Sequence, residues 1–216
     1  MALGLMEAAA HLSRFAGPSL SRTLSAIEQR SQGVTLETTS DLLAEAGADH
    51  ETLAAAAAIK DMAGQINVTL HALGILICLP HILRPGEVVE YVSLGAGNTG
   101  RPFDLETNFR IAEFKFITWR GGPESIRQNG VFKDYFALAH HETSKSKHLY
   151  LMGAEHALKF LRGRRAISSV LSRHVGLKKA FEARFGDRYS IVSDYFREHD
   201  DAVRIEDVSL WLESGG

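Results

Sequence analysis

The sequence predicts an α/β fold: a mixed central sheet flanked by helices, with a helical region at the N-terminus. Three observations carry that expectation. The first 83 residues are rich in Ala and Leu and show no strand-like alternation, up to a stop at Arg84-Pro85-Gly86. Beyond Gly86 the apolar residues gather in short β-branched and aromatic runs separated by Gly and Pro. Those runs alternate with helical patterns, a mixture that packs as a sheet with helices on its faces.

From Ala2 to Arg30 the chain reads as one or two helices broken near Gly17-Pro18. Residues 31–39 are polar and read as a connector. A second helical region runs from Thr39 to Leu83, carries an Ala run at 54–58, and is divided at Gly47 and Gly64. Its most apolar part, Ile66 to Leu83, contains Asn67, His71, Gly74, Pro80 and His81, which favours a buried helix over a membrane span. Glu87–Leu94 reads as a strand, Gly95–Gly100 as a loop and Phe103–Thr107 as a short strand. Arg110–Trp119 (RIAEFKFITW) is the strongest strand pattern. Pro123 to His140 reads as a helix whose Val131, Phe132, Tyr135, Phe136 and Leu138 recur at helical spacing. Lys147–Gly153 is a further strand, basic helices follow over 155–185, and an acidic tail closes the chain. The expected division is a helical region at 1–83, an α/β core at 84–190 and a tail at 191–216.

The 216 residues suffice for one sizeable domain with a helical extension, and 45% hydrophobic with 23% charged residues excludes a disordered chain. A single cysteine, Cys78, excludes an internal disulfide framework and suits a reducing compartment. The first ten residues lack a basic start, and Glu7 interrupts their apolar run; the expected location is cytoplasmic. The net charge of −2 conceals a pattern. Residues 101–190 carry 17 Lys/Arg against 9 Asp/Glu, whereas residues 1–100 carry 5 against 10 and residues 191–216 carry 2 against 7. A basic block between acidic ends can attract a polyanion.

On Arg110–Trp119, alternation puts Ile111, Glu113, Lys115, Ile117 and Trp119 on one face and Ala112, Phe114, Phe116 and Thr118 on the other. Both faces are largely apolar, the pattern of a central strand covered on both sides. A carboxylate and an ammonium there are costly unless paired, hydrogen-bonded or bound to a metal. Asp104 lies nine residues before Glu113, so a hairpin of the two strands brings their carboxylates together. Two carboxylates on adjacent strands suit Mg²⁺, and Lys115 beside them suits charge on a phosphoryl group.

Asp104, then Glu113-Phe114-Lys115 on an apolar strand followed by an amphipathic helix, resembles the PD-(D/E)xK, or restriction-endonuclease-like, nuclease superfamily over residues 86–155. The resemblance implies a Mg²⁺-dependent endonuclease hydrolysing phosphodiesters of DNA, or RNA, with Mn²⁺ able to substitute. It implies Asp104 and Glu113 as metal ligands and Lys115 as electrostatic catalyst. Phe103 stands between Pro102 and Asp104, so the family's Pro-Asp dipeptide is absent. Glu87 and Glu90 are candidates for the upstream acid that many such proteins carry.

The basic block supplies candidate phosphate contacts in Arg127, Lys133 and the Arg162, Arg164, Arg165 cluster. The N-terminal helices carry no catalytic set and are assigned to packing, a homodimer or a partner protein. Two other readings compete: a non-catalytic nucleic-acid-binding or protein-interaction module of the same fold, and a cofactor enzyme such as a methyltransferase. The second rests on Gly95-Ala96-Gly97-Asn98-Thr99-Gly100, a G-x-G-x-x-G pattern that requires a helix opening at the loop. Arg101-Pro102 follows instead. His140, His141 and His148 lack the carboxylate spacing of a zinc site and read as surface residues, and Cys78 reads as a core thiol.

Overall fold

The computed structural model describes residues 4–95, 100–116, 119 and 124–213. Contacts divide the chain at Asn67/Val68 into two units. The first holds α1 (Leu5–Ala16), α2 (Leu20–Arg30), α3 (Leu36–Ala46) and the first part of α4 (His50–Ile82). The break between α1 and α2 falls at Gly17, whose φ of 58° is a left-handed conformation that β-carbons resist. Residues 31–39 are not simply a connector. Thr35 caps α3, its N–H donating to Thr38 Oγ1 at 3.0 Å, so the helix opens at Leu36. Gly47 ends that helix, with φ 62°. Gly64 divides nothing and lies inside α4. Leu12, Phe15, Leu43 and Leu53 line an apolar cavity of about 650 Å³ within this unit.

The second unit is built on a five-stranded sheet: β1 (Val89–Val92), β2 (Leu105–Thr107), β3 (Arg110–Lys115), β4 (Ser146–Leu151) and β5 (Arg204–Asp207). The spatial order follows the chain, β1-β2-β3-β4-β5. β1, β2 and β3 pair antiparallel; β3, β4 and β5 pair parallel. The fold is therefore α/β with a mixed sheet, as the sequence predicts. Parallel strands need crossovers. These are α5 (Ser125–His140), and then α6 (Ala154–Leu161), α7 (Ile167–Leu171), α8 (Val175–Phe185) and α9 (Val192–His199). After β5 comes α10 (Ser209–Glu213).

Apolar alternation on β3 and β4 fills both faces. Ile111, Leu149 and Leu151 join Val131, Phe132 and Tyr135 of α5 in one core cluster. Ala112, Phe114 and Tyr150 join Ile75, Cys78 and Ile82 of α4 in the other. Burial pushes the Cys78 thiol up to about 11, so it stays protonated in the core. The segment expected as a tail at 191–216 holds, over its described residues 191–213, helix and strand: α9 packs its Val192, Tyr195 and Phe196 into the first cluster, and β5 pairs with β4.

α4 corrects a second expectation. From Val68 onward it buries one stripe, Ile75, Cys78 and Ile82, and leaves Leu70, Leu73, Leu76 and Ile77 exposed. Within His50–Ile82 the most apolar window has a mean hydropathy of 1.6 and is 17% buried, and its length and composition would allow it to cross a membrane. Gly74 packs against Phe116, the residue that follows β3: a β-carbon there would sit 2.6–2.7 Å from the Phe116 ring. Gly74→Ala is expected to destabilise the protein by roughly 1–3 kcal/mol through overpacking. A urea titration reads this directly, and an unchanged midpoint would show that Phe116 moves aside freely.

One buried polar network spans β2, β3 and β4. Arg110 Nε and Nη2 donate to the two oxygens of Glu87 at 2.5 and 2.6 Å, and Nη1 donates to Tyr150 Oη at 2.7 Å. Thr107 Oγ1 donates to Glu87 Oε1 at 2.7 Å. Burial alone would raise the Glu87 carboxyl; the hydrogen bonds from Arg110, Thr107 and the Arg84 N–H reverse this and hold it at about 2.

Candidate active site

The β2–β3 hairpin pairs Leu105 with Ala112 and Glu106 with Ile111, which sets Asp104 beside Glu113 and Phe114. Asp104 Oδ2 accepts the Phe114 N–H at 3.0 Å. Both carboxylates are largely withdrawn from solvent, with side-chain exposures of 17% for Asp104 and 13% for Glu113. Lys115 Nζ lies 3.7 Å from Glu113 Oε2. Pleat alternation thus delivers Asp104, Glu113 and Lys115 to one place.

Two residues join them that sequence reasoning passed over. Asp134 of α5 is 2.8 Å from Lys115 Nζ and nearly buried. His71 of α4 presents Nε2 at 3.4 Å from Asp104 Oδ1. The signal for Asp134 is present: it is a carboxylate flanked by Val131, Phe132, Tyr135 and Phe136, all buried. A charge in such company needs a partner, and Lys115 is that partner. His71 carries no comparable signal, because nothing local to α4 announces a residue of β2.

Glu87 and Glu90 do not assist this set. Glu87 is committed to Arg110, and Glu90 Oε2 pairs with Lys145 at 2.6 Å. Among the described carboxylates, Asp134 is the third one at the site.

Withdrawal from water and the neighbouring carboxylates Asp134 and Asp104 push Glu113 up to about 9, against the opposing pull of Lys115. For Asp104 burial acts upward too, but hydrogen bonds from His71, Glu113 and the Phe114 N–H hold it below the ordinary range. Glu113 and Asp104 thus share one proton, carried on Glu113. Lys115 is raised despite burial, because Asp134 and Glu113 favour its charged form.

Among the described residues, no group of three or more His, Cys, Asp or Glu side chains is arranged to hold a metal ion. That suits a zinc cage poorly, but Mg²⁺ takes one or two carboxylates and keeps several waters. Two crowded carboxylates largely withdrawn from water fit such an ion. Asp104 and Glu113 would hold it.

The chain matches no protein-family model, no curated protein and no solved structure. Function therefore rests on the site itself.

The structure sorts the predicted phosphate contacts. Arg127, in the first turn of α5, pairs with Glu124 and lines a cavity that reaches Lys115. Arg165 donates to Gln128 of α5, which ties the α6–α7 loop to that helix. Arg162 and Arg164 are exposed on this loop, and Lys133 is exposed on α5. Of these five, Arg127 is the one brought to the lysine.

The glycine-rich motif lies mostly outside the described residues, at 96–99. Gly100 leads through Arg101 and Pro102 to β2, so the helix that a dinucleotide loop needs does not follow. Of the three histidines, His140 and His141 are half-buried, and His148 is not on the surface as expected. His148 is 2% exposed and shares hydrogen bonds with Glu206 and Ser146, and His140 shares one with Tyr195 Oη.

Proposed function

We propose that the protein is a Mg²⁺-dependent nuclease that hydrolyses phosphodiester bonds of nucleic acid, DNA before RNA. One observation carries the reading: Asp104, Glu113 and Lys115 converge at the β2–β3 hairpin, with both carboxylates largely withdrawn from water. The resemblance of these residues to the PD-(D/E)xK pattern, and the basic block around them, support it.

Asp104 and Glu113 would hold the ion, which when bound would neutralise phosphoryl charge and make a water beside it more acidic. Asp134 holds Lys115 Nζ through a 2.8 Å contact, so the ammonium is aimed before substrate arrives. Its charge meets the oxygens on which negative charge grows in the transition state. The bond from water oxygen to phosphorus forms as the phosphorus–oxygen ester bond breaks. The attacking water gives up one proton to solvent and the departing alkoxide takes one up. Arg127 supplies a second cation for the strand's phosphates.

The test is a panel of end-labelled single- and double-stranded DNA and RNA, incubated with Mg²⁺ and with EDTA. Cleavage that needs Mg²⁺ is expected. Substrates that bind but stay intact with Mg²⁺ and with Mn²⁺ would replace the nuclease with a binding module.

A further inference from the structure

Beside Lys115 lies a cavity of about 240 Å³, the liquid volume of roughly eight waters. Val131, Leu151 and Met152 give it apolar walls, and Lys115 and Arg127 are its charged residues among those described. Trp119 forms another wall. Its side chain is 8% exposed, and its indole Nε1 is buried without a hydrogen-bond partner.

Two glycines keep the space open. Gly130 lies inside α5 with no left-handed φ to explain it, and a β-carbon built there meets nothing within 4 Å. A glycine at such a place sacrifices about 0.5–1 kcal/mol of helix stability relative to alanine. Gly153 also leaves open space, although its φ of +77° gives it a backbone reason as well. Neither backbone conformation nor crowding accounts for Gly130. An empty volume in front of it does.

We propose that this cavity receives one unpaired nucleobase of the strand whose phosphate meets Lys115. The inference rests on the nuclease reading and adds its substrate class. A base offers a flat apolar ring for Trp119 and Met152, and a phosphate on the side where Lys115 and Arg127 stand. Stacking of a base on an aromatic side chain contributes about 1–3 kcal/mol and tolerates any base. A base inside a duplex reaches such a cavity only by leaving its stack, at a cost of a few kcal/mol. The substrate class is therefore single-stranded nucleic acid, or duplex with an unpaired nucleotide.

The test uses Trp211→Phe protein, which leaves Trp119 as its single tryptophan, in EDTA so that binding is read apart from cleavage. The probes are thymidine trinucleotide and the same trinucleotide with its middle base removed. The intact probe is expected to quench Trp119 fluorescence and to bind at least tenfold more tightly than the abasic one. Gly130→Leu, which fills the cavity, should bind both alike; Gly130→Ala should melt at a higher temperature than its parent. Met152→Phe fills part of the same volume from the other wall and replaces Gly130→Leu if that variant does not fold. Equal binding of the two probes to the parent, or full base dependence in a folded plugged variant, overturns the proposal even if Mg²⁺-dependent cleavage is observed. Base-dependent quenching without any cleavage keeps the cavity's ligand and overturns the nuclease reading alone.

Discussion

Glu113→Gln is expected to abolish cleavage and, at pH 8 without divalent ions, to raise the melting temperature. The two effects have one origin. In the unfolded chain a glutamate releases its proton near pH 4.3, whereas Glu113 in the fold keeps its proton to about 9. Between those values the folded state binds a proton that the unfolded state has given up, so rising pH works against folding. Glutamine removes this penalty. The stability difference should vanish at pH 4, grow through the interval and level off above pH 9. Mg²⁺ should stabilise the wild type through Asp104 and Glu113, and fail to stabilise Glu113→Gln or Asp104→Asn. Lys115→Ala should retain the Mg²⁺-dependent rise in melting temperature and lose about 10²–10³ in rate. If all three variants cleave at the wild-type rate while folded, the active site lies elsewhere. If Glu113→Gln is less stable than wild type at pH 8, the carboxyl pair does not share its proton as described.

Arg110→Ala should be the most destabilising single substitution in the sheet, at about 3–5 kcal/mol. It strands the fully buried Glu87 carboxylate with one hydroxyl and one backbone donor. Replacing both partners with apolar residues of similar size, Glu87→Leu with Arg110→Met, should cost far less than the single change. Urea unfolding of the three variants gives the comparison; a double variant as unstable as Arg110→Ala would refute it. The pair also sets acid behaviour. Glu87 ionises at about 2 in the fold, below its unfolded value. Its contribution is therefore intact above pH 4.3 and is lost as the pH falls toward 2.

Much of the fold could be read from local pattern. β3 is apolar on both faces because it lies between β2 and β4 with helices on either side, and alternation on a single strand is enough to show it. Asp104, Glu113 and Lys115 come together because a hairpin fixes register between neighbours in sequence. What escaped lies farther away along the chain. Asp134 reaches Lys115 only once α5 has crossed back over the sheet, and His71 comes from a helix more than thirty residues upstream of Asp104. β5 was missed because four residues with three charges, Arg204-Ile205-Glu206-Asp207, read as tail. Their pairing with β4 makes them a strand, and local propensity does not. The burial of α4 was overestimated for the opposite reason. Its apolar residues encircle the helix, and the sheet covers one stripe of them.

The sheet whose spatial order repeats its chain order has a consequence for how the protein is made. No strand must be threaded between two that have already paired; each is laid against the edge left by the one before. During synthesis the hairpin of β2 and β3 can close while α5 is still unmade, and Glu87 meets Arg110 before β4 appears. Domains emerge from the N-terminal side at about 5–20 residues per second. The nascent chain therefore carries one unpaired edge at a time, and that edge moves forward until β5 takes it. The β2–β3 hairpin is the first part of the sheet to gain neighbours on both sides, and the short charged β5 is the last to be added.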